Sequence, residues 1–204
     1  MRVAVVGGTG DFGANLAARL VEAGQDVVVG SRDRERAQAA AAEIGANGAT
    51  NAEAVGGAEL VVLAVKAEAA LSTASELADA IDVPVLSVAS ELRFTKAGVF
   101  PGDDDRSLAE RTQELLNAPV VAGLHSLAAA TLAGGKADGD ALVCGDDADA
   151  KRLALELASL VVTGRALDAG PLASARALEG LTAVIVNLNK RYRAHAGVRV
   201  TGLA

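Results

Sequence analysis

The chain has 204 residues, 51% of them hydrophobic but only 2% aromatic and none tryptophan, so it fits one domain with a core of Ala, Val and Leu. One cysteine excludes an intrachain disulfide and a cysteine-based zinc site, and two histidines leave little for any other metal. A formal net charge of −7 excludes sequence-independent binding to nucleic acid, which needs a basic footprint, and any anionic ligand must be held by local cations. Along the chain, residues 2–6 read as a short apolar strand and 11–23 as a helix with Leu16, Leu20 and Val21 on one face. Residues 26–30 form a second strand and 34–44 an Ala-rich helix. The run 60–65 (LVVLAV) is apolar at every position, as a strand covered on both faces should be. A helix over 68–81, a strand over 84–88 and a loop over 89–106 follow. That loop carries Pro101 and the acidic run 103–105, which lacks the spacing of a calcium loop. Ser107 with Glu110 three residues on is a capping-box signature. Strands at 119–124 and 141–144 come next, then a helix opened by Asp146 and Asp147 and running to about residue 160. After a short strand at 165–167, Pro171 starts the longest helix, to about residue 193, and the tail 197–204 alternates Val198 and Val200.

Strands alternating with helices specify an α/β fold with a doubly wound, mostly parallel sheet. In such sheets ligands bind beyond the carboxyl ends of the strands, where the strand order reverses. The first such end carries Gly8, Thr9, Gly10, Asp11, Phe12 and Gly13, in which Gly8, Gly10 and Gly13 satisfy G-x-G-x-x-G between a strand and a helix. Gly8 is expected to permit the tight turn, Gly10 the approach of a pyrophosphate, and Gly13 close helix–strand packing. The second strand ends in Gly30-Ser31-Arg32, where a site for NAD would carry an acid for the ribose 2′-hydroxyl. Ser31 and Arg32, with Arg36 one turn further, instead suit a 2′-phosphate, which reads as NADP(H). The competing reading is a set of solvated surface arginines.

These features, with Leu124-His125-Ser126, VCGDD at 143–147, ALDAGPL at 166–172 and the closing HAGVRVTGL, resemble the NADPH-dependent coenzyme F420 reductases over essentially the whole chain. The resemblance implies a Rossmann-type NADP-binding domain at 1–145. It also implies a small C-terminal α/β extension at 146–204, packed on that domain as one compact unit, and often a homodimer. It implies hydride exchange between NADP(H) and the deazaflavin F420. Residues 9–12 would then surround the pyrophosphate, and Val65, Ala89 and Ser90 would border the cofactor and its nicotinamide. His125, Ser126 and Leu127 would line the nicotinamide–deazaflavin pocket, and Gly202 and Leu203 would approach the deazaflavin. Members often carry proline where this chain has Lys66, at the step Val88-Ala89-Ser90-Glu91, and at Ala128. These departures keep open an NADP-dependent reductase of another flavin-like or imine or keto acceptor, and a non-catalytic NADP(H) sensor.

Hydride transfer between two bound carriers asks little acid–base work of the protein, so no triad or carboxylate dyad is expected. His125 could donate a hydrogen bond, relay a proton, or simply pack. His195 reads as a helix-end residue and Cys144 as a buried structural thiol. Lys190, Arg191, Arg193 and Arg199 either meet the anionic tail of the deazaflavin or serve as helix-end cations. Leu178, Leu181, Val184, Ile185, Leu188 and Tyr192 form an apolar stripe for the sheet or for a second copy. No leader pattern or membrane-length apolar run is present, which together with cysteine usage points to a cytoplasmic protein without membrane partners.

Overall fold

The computed structural model describes residues 1–203. In chain order the elements are β1 (Arg2–Val6), α1 (Asp11–Glu22), β2 (Asp26–Ser31), α2 (Arg34–Ile44), β3 (Asn47–Thr50), α3 (Asn51–Val55), β4 (Leu60–Leu63), α4 (Ala67–Leu77) and β5 (Val85–Ser87). Then come β6 (Leu92–Thr95), β7 (Gly98–Pro101), α5 (Leu108–Gln113), β8 (Val120–Gly123), α6 (Ala129–Ala133), β9 (Ala141–Gly145), α7 (Ala148–Val161) and β10 (Ala166–Asp168). A 3-10 turn at Leu172–Ser174 leads into α8 (Ala175–Tyr192).

Eight strands make one sheet in the order β10-β9-β8-β5-β4-β1-β2-β3. Every pairing in it is parallel except β8 with β9. β1 lies between β2 and β4, so the chain leaves its centre in both directions, and the reversal of strand order falls at the loops after β1 and β4. Side chains alternate across the sheet. Val3 and Val5 join Leu16, Leu20 and Leu157 on the face covered by α1 and α7, while Ala4 and Val6 join Val55, Leu77 and Leu178 under α3, α4 and α8. The core is aliphatic: Phe94 and Tyr192 are 65% and 69% exposed, Phe100 is exposed too, and Phe12 alone packs partly inside.

The structure departs from the sequence reading in places. Residues 47–55 hold a strand and a helix that hydropathy does not reveal, because β3 is a half-exposed edge strand with little apolar alternation. Gly48 marks it in another way: a Cβ there would stand 2.4 Å from the Ala37 carbonyl on α2. The expected loop at 89–106 contains the antiparallel hairpin β6–β7. Its polar, exposed strands hide the pattern, and it is fastened to α8 by Asn187, which donates to Val99 O (2.7 Å) and accepts from Val99 N (2.9 Å). The short helix α6 has only five residues, too few to show a helical period in the sequence. The α8 stripe divides: Leu178 and Ile185 are buried, whereas Val184, Leu188 and Tyr192 are exposed. The capping box Ser107–Glu110 forms as expected.

Reversal at β9 has a geometric result. β8 ends at the same edge as β1, β2, β4 and β5, and the starts of β9 and β10 return to that edge beside it. The tail is laid there without forming a strand. Asp140 N donates to Val198 O (2.6 Å), and Val200 N donates to the Asp140 carboxylate (2.8 Å). The last residue of the expected alternating tail, Ala204, lies outside the described residues.

Candidate active site

The loop after β1 is shaped by backbone contacts. The positive φ (80°) is at Gly7, which therefore makes the turn expected of Gly8. Gly8 is instead pressed against Val5 O, 2.8 Å from where its Cβ would be. Gly13 meets Gly7 O at 2.6 Å, so α1 and β1 approach as closely as a missing side chain allows. Gly10 differs from both. It is the N-cap of α1 at φ −83°, and a Cβ there would meet only Gly7 O at an ordinary 3.5 Å. The fold does not require glycine at 10, whereas a group resting on the first amides of α1 would.

Beside this loop, Asp33 caps α2 through Arg36 N, and Ser31 Oγ accepts from Asp33 N (3.3 Å). The guanidinium of Arg36 donates to Thr9 O (3.5 Å), bringing α2 against the glycine loop. Arg34 is engaged by Glu53. Arg32 and Arg36 are exposed and form no ion pair among the described residues. Ser31 ends β2, the exposed Arg32 follows it, and Arg36 reaches over from α2 to the glycine loop; a hydroxyl and two cations of this kind suit a phosphate monoester.

From Gly10, Asp11 and Phe12 a largely apolar cleft of about 390 Å³ runs across the ends of β4, β5 and β8. Val65, Ala89, Ser90, His125 and Leu127 line it, and Asp11 and Lys66 are its charged residues. Leu124 leads into it with φ 64°, a left-handed conformation unusual for a side chain of this size, while that side chain is fully buried. His125 is 5% exposed. Its Nδ1 lies 3.0 Å from Ser90 Oγ, and Ser90 Oγ lies 2.8 Å from Thr182 Oγ1 on α8. Thr182 donates to the backbone carbonyl of His125 (2.9 Å). Among the described residues no group hydrogen-bonds to His125 Nε2. Burial pushes the imidazole down to about 4, so it is neutral at pH 7. Thr182 was missed in the sequence, where nothing marks a residue 57 positions from its partner.

Other expected residues stand elsewhere. Ser126 is buried behind the cleft and donates to Asp140 O (3.2 Å). The amides of Arg165 and Val200 hold the Asp140 carboxyl below the usual carboxylate range. Gly202 and Leu203 are exposed on the tail and do not line the cleft. Of the C-terminal cations, Lys190 sits over the Phe94 ring (5.2 Å) and Arg199 pairs with Asp138. Cys144 is buried and its thiol pushed up to about 12 by desolvation, which suits a structural role. A second buried acid was not foreseen. Glu179 on α8 accepts from Ala109 N at the start of α5 (3.3 Å), and burial raises its carboxyl to about 7.

Residues 2–91 match the family described as NADP oxidoreductase, coenzyme F420-dependent. The F420-dependent NADP reductase of Methanothermobacter marburgensis is 37% identical, with 100% of this chain and 99% of that protein covered. The enzyme of the same name from Methanocaldococcus jannaschii is 32% identical, again over 100% and 99%. The chain belongs to the F420-dependent NADP reductase family. A crystal structure from Arthrobacter sp. FB24, described as a putative F420-dependent NADP-reductase, superposes with a TM-score of 0.81 at 27% identity, covering 98% of this chain and 99% of that one. The superposition covers the whole Rossmann-type sheet of this chain, and the cleft lies beside the loops after β1 and β4, where the strand order reverses.

Proposed function

We propose that this chain exchanges a hydride between NADP(H) and the deazaflavin coenzyme F420, taking NADPH and oxidised F420 to NADP and reduced F420 and back. The observation that carries this reading is one continuous cleft in a chain of this family, with a phosphate-shaped loop at one end and an apolar chamber at the other. The two carriers supply the hydride donor and acceptor carbons; the protein supplies their alignment. Gly8, Gly10 and Gly13 with the amides of Thr9, Asp11 and Phe12 receive the pyrophosphate at the start of α1. Ser31, Arg32 and Arg36 receive the 2′-phosphate, which selects NADP over NAD. Val65, Ala89 and Leu127 give flat apolar walls that exclude water from the reacting rings, and Ser90 and His125 give the chamber its polar contact. Residues 1–145 carry the NADP half, and 146–204 close the acceptor half through α8.

The exposed Val184, Leu188 and Tyr192, beside Phe94 and Phe100 of the hairpin, support a homodimer through this surface. Light scattering at micromolar concentration checks it, and a monomer mass would rule it out. Among the described residues no helix is long and apolar enough to cross a membrane. A cytoplasmic setting follows from cysteine usage and the mobile carriers.

The test is direct. NADPH is mixed with oxidised F420 and the deazaflavin's visible absorbance followed, with NADH in parallel. Rapid bleaching with NADPH and little with NADH is the expected result; NADPH binding without bleaching would remove the acceptor from the assignment.

A further inference from the structure

The hydroxyl chain behind His125 has a single consistent arrangement of protons. Thr182 has one hydroxyl proton, and the His125 carbonyl 2.9 Å away can only accept, so that proton is committed. Ser90 Oγ, 2.8 Å from Thr182 Oγ1, must then donate to it. Ser90 has no second proton, so in its 3.0 Å contact with His125 Nδ1 it must accept. A neutral imidazole carries one proton, which leaves Nε2 with a bare lone pair.

We infer that Thr182 and Ser90 are positioning residues that lock His125 in its Nδ1–H form, making Nε2 a hydrogen-bond acceptor for an amide or imide N–H of a ligand in the cleft. The ligand half of this inference rests on the function proposed above. His125 lines the cleft, and Nε2 is buried with no hydrogen-bond partner among the described residues. An unmet buried acceptor opposes folding, and a ligand N–H that reaches it relieves that penalty. Of the other polar side chains lining the cleft, Lys66 can only donate, the Ser90 and Thr182 protons are spent on the chain of bonds, and Asp11, the remaining acceptor, stands at the glycine-loop end in the first turn of α1. The arrangement also replaces the donor role that a histidine in this place invites. Two partners have the required N–H, the carboxamide of the nicotinamide and the imide of the deazaflavin's pyrimidine ring.

Long-range proton–nitrogen NMR of the 15N-labelled protein reads the tautomer without any ligand. The chain has two histidines, and His195→Gln assigns the remaining signals to His125. The expected spectrum has Nδ1 protonated and Nε2 bare, unchanged from pH 5.5 to 8. Thr182→Val frees Ser90 to donate to Nδ1 and is expected to shift the ring towards Nε2–H; Thr182→Ser restores the original signals. An Nε2–H ring in the unaltered protein, or the same spectrum in a folded Thr182→Val, overturns the lock.

Two arms then identify the ligand group. NADPH is compared with its 3-acetylpyridine analogue, which lacks the carboxamide N–H, in binding titrations without F420. A preference of roughly tenfold for NADPH that vanishes in Thr182→Val and returns in Thr182→Ser assigns Nε2 to the carboxamide. If that preference is absent while an N-methylated imide of F420 raises the acceptor's KM roughly tenfold with kcat little changed, the partner is the deazaflavin. Discrimination in neither arm overturns the ligand half. Loss of F420 turnover alongside the expected tautomer would instead count against the proposed function alone.

Discussion

Beyond the Gly10–Phe12 end of the cleft, at the β1–β2 edge, the polar groups are main-chain amides and solvent-facing arginines. At the β5–β8 edge they are side chains that bond one another. The first edge is assembled from residues 7–13 and 31–36, close in sequence and held by two tight backbone contacts. The second joins positions 35, 57 and 92 residues apart. A phosphate is a large, fixed charge that a generic cradle of N–H groups recognises. A planar heterocycle presents a few directional groups, and meeting them requires side chains fixed to a fraction of an ångström by a supporting layer. The two ends should therefore fail in different ways when altered.

The largest effect is expected in that supporting layer. Glu179, buried between α8 and α5 with its carboxyl raised to about 7, stays protonated in the folded chain while the unfolded chain ionises near 4.5. Unfolding therefore releases a proton between these values, and stability falls as pH rises through this window, by up to about 3 kcal/mol. Glu179→Gln should flatten the profile and leave the variant more stable than the parent at pH 8. Urea midpoints at pH 5 and pH 8 measure this, and a parent with equal midpoints would contradict it.

A paired substitution addresses the glycine loop. Gly10→Ala meets no close protein atom, so its melting temperature should match the parent while NADPH binding weakens roughly a hundredfold, about 2.7 kcal/mol. Gly13→Ala forces a Cβ against Gly7 O and should lower stability by about 1–3 kcal/mol. Calorimetry and NADPH titration on both variants separate the ligand contact from the packing contact. Equal losses in both measurements for both variants would erase the distinction.

Arg32→Ala should raise the KM for NADPH roughly ten- to thirtyfold, as expected for losing one charge-assisted contact, and leave the KM for NADH unaltered. A parallel rise for both nucleotides would show that Arg32 does not meet the 2′-phosphate. The smallest effect is expected at the tail. Its anchor, the Asp140 carboxylate, is held below the ordinary range, so the contribution of that charge is present above the unfolded value and disappears only as pH falls through the lowered folded one. Asp140→Asn should speed amide exchange at Val200 at pH 7 with little change in the global melting point, and the parent should approach it only in strong acid.

What was legible in the sequence follows the same division. The β1–α1–β2 unit, the glycine loop and Ser31-Arg32 could be read directly, because spacing along the chain is spacing in the site. β3 was hidden by its half-exposed edge position, and the β6–β7 hairpin by its polar strands, since burial on one face is what writes an alternating pattern. His125 is legible as a residue after a strand and through the Leu124-His125-Ser126 step of the resemblance, but its partners are not. Its partners Ser90 and Thr182 come from the segment after β5 and from α8, brought together by the order of strands and by α8 crossing their ends. Leu124 offers no signal at all, because its left-handed backbone belongs to a residue type that normally avoids it.

The placement of the four aromatic residues has an optical consequence. With no tryptophan and one tyrosine, exposed on the last turn of α8, ultraviolet excitation of the chain is nearly dark except at that turn. A bound chromophore can be followed against this background without correction for protein emission, and quenching or polarisation of Tyr192 reports separately on whatever approaches the outer face of α8.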